Sequence, residues 1–141
     1  DGLWIGWDEN GPKEFESTWK EGHQHGLCTQ WYENGQKDSE HSIKNYEYDG
    51  LRTQWYENGQ KSGEWNYKNG KYNGLCTEWY KNGQKKEEVN WKEGIQHGLT
   101  TKWYENGQKN SEGTFEDGHL SWDRFRCWKY DGSVIFDNVG E

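Results

Sequence analysis

The feature that most constrains this chain is a heptapeptide that returns at a fixed interval. Residues 31–37 read WYENGQK, the same letters stand at 55–61 and 103–109, and residues 79–85 read WYKNGQK. Each copy begins 24 residues after the one before it. A period of about 20–50 residues is typical of repeat arrays, in which neighbouring units supply each other's core. Repetition of this kind argues against a catalytic site, which is normally built once.

The same step of 24 residues links whole columns of the sequence, which predict a repeated core. The tryptophan column is Trp7, Trp31, Trp55, Trp79 and Trp103, and the leucine column is Leu27, Leu51, Leu75 and Leu99. A third column is bulky in every copy: Trp19, Ile43, Tyr67, Trp91 and Phe115. We predict five tandem hairpin repeats over residues 1–121, and a divergent partial repeat over 122–141 that caps the array.

Each repeat contains two turn signals, which predict two short strands per repeat. The first is Asn-Gly, a strong hairpin signal, and its glycine column is predicted to form turns: Gly11, Gly35, Gly59, Gly83 and Gly107. The second lies in stretches such as WKEGIQHG at 91–98. At this turn Tyr46 replaces a glycine, so we expect that turn to differ, unless its bend moves to Asp49-Gly50. No segment shows a helical period.

Alternation along the strands predicts which side chains share a face. The odd-numbered residues of one repeat carry most of the apolar groups, including Trp79, Val89 and Trp91. They fall on one face only if the Asn-Gly loop has three residues, so that Tyr32 pairs with Gln36. We therefore predict three-residue loops, and one aromatic spine along a single face. In this register the lysine column of Lys13, Lys37, Lys61, Lys85 and Lys109 lies near the indoles.

The stretch WKEGIQHGLTTKWYENGQK at 91–109 resembles the MORN repeat, and more closely the variant repeat of bacterial proteins described as antitoxin components of toxin–antitoxin modules. The frame of the resemblance covers residues 2–121. It implies an elongated, single-sheet antiparallel β-meander, in agreement with the alternation argument; the predicted fold class is all-β. It also implies a role in scaffolding or protein interaction, with lipid binding proposed for some members.

Composition and charge limit the partners. The net charge of −8 is a poor match for nucleic acid, and membrane binding is not expected either. Cys28 and Cys76 hold one repeat position two units apart, roughly 19 Å at two strands per unit, so they cannot form a disulfide. Unpaired cysteines and the lack of a signal segment favour the cytoplasm. The lack of any Met leads us to expect a processed chain or a piece of a longer one.

Three columns that resemble chemical sites are better explained by structure. His25 and His97 share a slot with turn residues, and two histidines without a third ligand make a weak metal site. The glutamates at 16, 40, 64, 88 and 112 have equivalent surroundings, whereas acid–base pairs need different ones. The lysine column is expected to be structural. We predict no catalytic residue, no metal and no cofactor.

A tyrosine column offers two interpretations. Tyr32, Tyr56, Tyr80 and Tyr104 either pack over the neighbouring strand or form a recognition surface, because tyrosine is favoured at interfaces. In the second case the partner surface would also include Gln30, Gln54, Glu78 and Lys102.

The function predicted from these features is a non-enzymatic module for protein–protein interaction, of the antitoxin or scaffold type. One alternative is a structural protein that self-associates through its sheet edges. Another is an aromatic platform that binds carbohydrate or a surface, which requires exposed indoles.

Overall fold

The computed structural model of the chain describes residues 1–9 and 11–138. All regular structure in these residues is β, and the strands form one antiparallel sheet of 14 strands connected as a meander of hairpins. This confirms the predicted all-β meander of 24-residue hairpin repeats. Val139, Gly140 and Glu141, which belong to the predicted cap, lie outside the described residues.

The chain divides into two compact units, Asp1–Lys71 and Tyr72–Glu141. The first contains β1 (Gly2–Trp7), β2 (Lys13–Lys20), β3 (His23–Trp31), β4 (Lys37–Lys44), β5 (Glu47–Tyr48), β6 (Gly50–Trp55) and β7 (Lys61–Lys68). The two-residue strand β8 (Lys71–Tyr72) falls at the division. The second contains β9 (Gly74–Trp79), β10 (Lys85–Lys92), β11 (Ile95–Trp103), β12 (Lys109–Glu116), β13 (His119–Trp128) and β14 (Val134–Asp137).

Two kinds of turn alternate along the meander. The Asn-Gly turns have three-residue loops, as predicted: the Tyr32 N–H donates to the Gln36 carbonyl at 2.8 Å, and the Gly35 N–H donates back to the Tyr32 carbonyl at 2.9 Å. Gly35 has a φ of 80°, which glycine adopts without steric cost. The other turns are two-residue hairpins with positive φ at both positions, such as Glu93 at 51° and Gly94 at 84°.

A β-bulge that was not predicted follows every Asn-Gly turn. Trp31 pairs with Lys37, but Gln30 pairs with Ser39, so Asp38 is an extra residue on β4. In the second unit Trp79 pairs with Lys85 and Glu78 pairs with Glu87, so Lys86 is the extra residue on β10. An extra residue on one strand moves all later side chains of that strand to the opposite face.

The prediction of a single apolar face is therefore wrong. Paired residues share a face, so Val89 lies beside Cys76 and Trp91 lies beside Gly74, whereas Trp79 lies on the opposite side with Leu75. We call the side that carries Trp31, Thr29 and Leu27, or their equivalents in the second unit, the tryptophan face. The side that carries Cys28, Gln30 and their equivalents is the cysteine face.

The buried residues are small and lie in the middle of the strands. Among the described residues, none of the large side chains is fully buried. Thr29, Thr53, Thr77 and Thr101 are buried on the tryptophan face; Ser17, Cys28, Ser39, Cys76, Val89 and Thr100 are buried on the cysteine face. Larger side chains cover them without being enclosed. Each face is thus a thin layer, with small residues underneath and half-buried aromatic rings above.

The predicted core columns occupy that outer layer. The leucines are 44–52% exposed, and Trp7 is 62% exposed, so none of these is an enclosed core residue. The later members of the tryptophan column, and the column from Trp19 to Phe115, are half-buried, on opposite faces. The physical reason is that a single sheet has no second layer against which a leucine row can be sealed.

The C-terminal hairpin repeats the turn geometry with other residues. Its turn is held by the Lys129 N–H on the Ser133 carbonyl at 2.8 Å and the Gly132 N–H on the Lys129 carbonyl at 2.9 Å. Asp131 accepts the Ser133 N–H at 2.8 Å, as Asn34 accepts the Gln36 N–H at 2.9 Å. The hydrogen bonds from Ser133 lower the pKa of the Asp131 carboxyl. Asp131-Gly132 stands one residue later than the 24-residue period from Asn106-Gly107 gives. This delay corresponds to a further register shift between β12 and β13.

Candidate interaction surface

The heptapeptide is positioned by its own turn and contacts the next turn along the sheet. The Tyr32 hydroxyl donates to the Trp55 carbonyl at 2.7 Å, Tyr80 to Trp103 at 2.9 Å and Tyr104 to Trp128 at 3.0 Å. These bonds make the tyrosines staples between adjacent hairpins, which supports the packing interpretation of the tyrosine column. All four tyrosines of the column are half-buried, so part of each side chain is exposed to solvent.

The asparagine of the heptapeptide makes two bonds that serve different purposes. The Asn34 side-chain oxygen accepts the Gln36 N–H at 2.9 Å, which fixes its own turn. The Asn34 amide group donates to the Glu57 carbonyl in the next turn at 2.8 Å. In the second unit Asn82 donates to the Glu105 carbonyl at 2.7 Å. Asparagine suits this position because it carries both an acceptor and a donor.

The glutamine lies over the glycine of the next turn. A Cβ atom at Gly59 would lie 2.0 Å from the Gln36 side-chain oxygen, and one at Gly107 would lie 2.9 Å from that of Gln84. Glycine is favoured at these turns by its positive φ, and a larger residue would also have to displace the end of the preceding glutamine side chain.

The lysine of the heptapeptide lies over an indole, as predicted, and the indole it reaches is also that of the next repeat. The Lys13 Nζ lies 5.1 Å from the centroid of the Trp31 ring, and Lys37 lies 5.5 Å from that of Trp55. In the second unit Lys85 lies 5.6 Å from the ring of Trp103. We call this set of tyrosine, asparagine, glutamine and lysine contacts the heptad ladder.

The glutamate column neutralises these lysines. Each lysine pairs with the glutamate three residues further on: Glu16, Glu40, Glu64, Glu88 and Glu112. The pairs are partly exposed, so each contributes little to stability. Their equivalent surroundings agree with the structural interpretation of both columns. The lysines also lie over the indoles of Trp31, Trp55 and Trp103, which covers part of the ring faces that a sugar platform would need.

The two-residue turns are linked by a second set of contacts. The Gly94 N–H donates to the Tyr72 carbonyl at 2.8 Å, and the Glu93 N–H donates to the Asn73 side chain at 3.2 Å. Asn73 holds the slot of His25 and His97, and His97 itself lies 3.7 Å from Asp117. The side chains at this repeat position therefore lie next to the following turn, in line with the turn role predicted for the histidines.

The expectation that the turn at Tyr46 must differ is wrong. Asn45 and Tyr46 have φ values of 51° and 69°, so they form a two-residue turn of the same kind as Asn69-Gly70. The bend does not move to Asp49-Gly50. Tyr46 is 71% exposed, and its ring meets that of His23 edge-on, with centroids 4.6 Å apart. Tertiary pairing of the flanking strands thus keeps tyrosine in a conformation that it rarely adopts.

The cysteine face carries the residues that differ most between repeats. Gln30, Gln54, Glu78 and Lys102 occupy one column of it, next to the tyrosines. Gln30 accepts the Ser39 hydroxyl at 3.0 Å, whereas Glu78 pairs with Lys86 at 3.0 Å and Lys102 with Glu87 at 3.1 Å. The structure therefore brings the predicted partner residues together along one edge of this face within each unit.

A cluster of one arginine and aromatic side chains on the cysteine face of the first unit was not predicted. The Arg52 guanidinium lies 5.3 Å from the Trp65 ring and 5.7 Å from the Tyr48 ring. Its Nε is buried and has no hydrogen-bond partner among the described residues. Burial, and secondly the charge of Arg52, lower the pKa of His41. The signal in the sequence is that Cys28, Cys76 and Thr100 hold the position of this arginine in other repeats.

Within residues 1–9 and 11–138, no group of three or more His, Cys, Asp or Glu side chains is placed to hold a metal ion. The same residues contain no helix that is long and apolar enough to span a membrane. The three cysteines are free, and burial raises the pKa of the Cys28 thiol.

The fold and the heptad ladder define a class of protein, namely a β-hairpin repeat array in which each turn binds the next. A comparison with family models is more specific: the MORN repeat variant matches residues 24–45, 48–69, 72–93 and 96–117. These four matches cover more than half of the chain, which therefore belongs to the MORN repeat variant family. The hairpin β1–β2, counted above as a fifth repeat, lies outside the matches. No curated protein matches the chain.

Proposed function

We propose that this protein is a non-enzymatic module for protein–protein interaction, in which the cysteine face contacts the partner. MORN repeats are a non-catalytic repeat module, associated generally with interactions with proteins and membrane lipids. For this chain a protein partner is the better match, because its net charge of −8 opposes binding to anionic lipid or nucleic acid.

One observation carries the proposal. The residues that the last four heptapeptides share are used by the heptad ladder, in which Tyr80, Asn82 and Lys85 all contact the next turn. The column of Gln30, Gln54, Glu78 and Lys102 changes between repeats and is exposed or half-buried on the cysteine face, where a partner can distinguish one repeat from another. A rigid scaffold with variable residues along one face is the usual design of repeat proteins that bind other proteins.

The antitoxin or scaffold type of function is the specific form that we propose, on the basis of the resemblance to bacterial antitoxin components. The three free cysteines suit the reducing compartment that such a role implies. Co-expression with the product of the neighbouring gene tests this form directly. If that product arrests growth by itself and this chain relieves the arrest, the antitoxin role is supported; continued arrest at matched expression contradicts it.

The test of the general proposal is affinity capture with two variants that alter opposite faces. In the first variant Gln30, Gln54, Glu78 and Lys102 are replaced by alanine. In the second, the exposed leucines Leu27, Leu51, Leu75 and Leu99 are replaced by serine, as a matched control on the tryptophan face. We expect one dominant partner, lost with the first variant and retained with the second. Loss with the second variant alone contradicts the assigned face, and no binding at micromolar concentration contradicts the function.

Self-association is a second candidate because apolar residues lie on the first and last strands. Leu3 and Trp4 on β1 are 58% and 59% exposed, and Ile135 on β14 is 58% exposed. Exposed apolar edge strands are templates for pairing with another chain. Light scattering as a function of concentration separates the two candidates, because a stable monomer of 16.8 kDa rules out self-assembly.

A further inference from the structure

The first heptapeptide lacks two of the residues that form the ladder. Residues 7–13 read WDENGPK, so Asp8 stands where later copies have tyrosine, and Pro12 stands where they have glutamine. Trp31 is related to Asp8 as Trp55 is to Tyr32. The Trp55 carbonyl accepts the Tyr32 hydroxyl at 2.7 Å. A carboxylate has no proton to donate, and the short Asp8 side chain cannot fill the space of a phenol ring.

A cavity of about 410 Å³ lies where that tyrosine and glutamine would be. Its walls are Asp8, Pro12, Lys13, Glu14, Trp31, Tyr32 and Glu33. This volume is within the range of small-molecule sites, about 300–1,000 Å³. At the next junction Tyr32 is present, and a larger recess of about 590 Å³ is lined by Tyr32, Glu33, Asn34 and Glu57. The first junction is therefore distinguished by its lining and not by a larger volume, since Trp31 lies in the wall of the first alone.

The charges around the cavity favour a cation. Asp8, Glu14 and Glu33 are exposed and make no ion pair with another described residue. The one positive group in the wall, Lys13, is paired with Glu16 and lies on the Trp31 ring. A ligand in the cavity therefore meets Trp31, Tyr32 and three carboxylates.

We propose that this cavity binds a phenol that carries a positive charge close to its ring. The ring takes the place of the tyrosine that the first heptapeptide lacks, its hydroxyl donates to the Trp31 carbonyl, and its cationic group lies among Asp8, Glu14 and Glu33. Two sources offer this chemistry: a free aryl-ethylamine, and a tyrosine side chain beside lysine or arginine in a peptide. The site is independent of the proposed partner surface, since the variable column from Gln30 to Lys102 does not line it.

The experiment uses tyramine, a phenol with a protonated amine, and a protein-observed NMR titration of the ¹⁵N-labelled chain. We expect saturable binding in the millimolar range, which is usual for about ten heavy atoms. We expect amide shift changes at Asp8, Glu14, Trp31 and Glu33. Phenethylamine lacks the hydroxyl and 4-ethylphenol lacks the charge, so each should bind at least several-fold more weakly. A lysine-tyrosine-lysine peptide that binds more tightly than tyramine identifies a peptide as the source, and the reverse order identifies a free amine.

Three variants decide the outcome. Asp8→Tyr fills the cavity with the residue of the other repeats, so it should abolish binding while the melting temperature stays the same or rises. Glu33→Gln should weaken binding several-fold, whereas Glu105→Gln, at the same heptapeptide position in the second unit, should leave it unchanged. No saturable binding of either probe up to about 20 mM, or equal binding by Asp8→Tyr at an unchanged melting temperature, overturns the proposal.

Discussion

The staple between adjacent hairpins can be tested by removing a single oxygen atom. Tyr80→Phe deletes the hydroxyl that donates to the Trp103 carbonyl at 2.9 Å and keeps the ring. A net hydrogen bond contributes about 0.5–1.5 kcal/mol. Tyr80 is half-buried, so water can partly replace the lost donor, and we expect a loss of about 1 kcal/mol. In a chain of this length that corresponds to roughly 2–5 °C in melting temperature.

The assay is urea denaturation followed by far-ultraviolet circular dichroism, with the slope of the transition compared between variants. Tyr130→Phe is the matched control, because Tyr130 is 57% exposed and its hydroxyl has no hydrogen-bond partner among the described residues. We expect the control to stay within about 0.3 kcal/mol of the parent. If both variants have the stability of the parent, the tyrosine bonds do not hold the hairpins together and the heptad ladder loses its main support.

Three further predictions concern single positions. Gly63→Ala should destabilise the protein by about 1–3 kcal/mol, because an added Cβ would lie 2.1 Å from the Trp65 ring. In urea denaturation, Gly63→Ala should lower the free energy of unfolding much less when Trp65 has already been replaced by alanine. Tyr46→Gly should raise the melting temperature by relieving a φ of 69°, whereas Tyr46→Ala, which keeps the strain and loses the His23 contact, should lower it. Burial, followed by Asp38 and Glu57, raises the pKa of Tyr32 to about 12 from 10.0, so the folded state holds this proton more tightly than the unfolded state. The contribution of Tyr32 to the free energy of unfolding should therefore be complete below pH 10 and be lost between pH 10 and pH 12. The fall in the free energy of unfolding over this range should be smaller in Tyr32→Phe. An identical fall in both proteins contradicts the assignment.

The strand number, the turn positions and the three-residue loops follow from the sequence because they are local. The Asn-Gly pair specifies its turn wherever it stands, and the spacing of 24 residues fixes how often that turn returns. The place of the lysine column beside the tryptophan column was also predictable, since strand pairing puts Lys37 opposite Trp31. The reach of Lys37 to the ring of Trp55 in the next repeat was not predicted.

The distribution of side chains between the two faces was not predictable in this way. The alternation argument assumes an unbroken register, and one bulge at Asp38 is enough to reverse it for the rest of β4. Polar residues occupy the bulge position in every copy, namely Glu14, Asp38, Ser62, Lys86 and Asn110, but such residues are equally common on an exposed strand. The residues at the bulge position therefore do not reveal the bulge in the sequence.

The cavity beside Asp8 illustrates the opposite case. The replacement of tyrosine by aspartate is visible in the sequence, but its meaning depends on knowing that Tyr32 reaches forward to Trp55 and not back to its own strand. Once that direction is known, the aspartate in place of tyrosine in the first heptapeptide points to the cavity beside Trp31.

The direction of these contacts also bears on how such a chain changes its length. Every interior junction of a unit joins the same donors to the same acceptors, as Tyr80 to Trp103 and Tyr104 to Trp128 do. A gene that gains or loses one 72-nucleotide period therefore brings together two hairpins that already fit. An insertion of one residue needs a compensating register shift, as between β12 and β13, where Tyr104 still reaches the Trp128 carbonyl. Growth by whole periods needs no such adjustment, and the near-identity of the last four heptapeptides is what that route would produce.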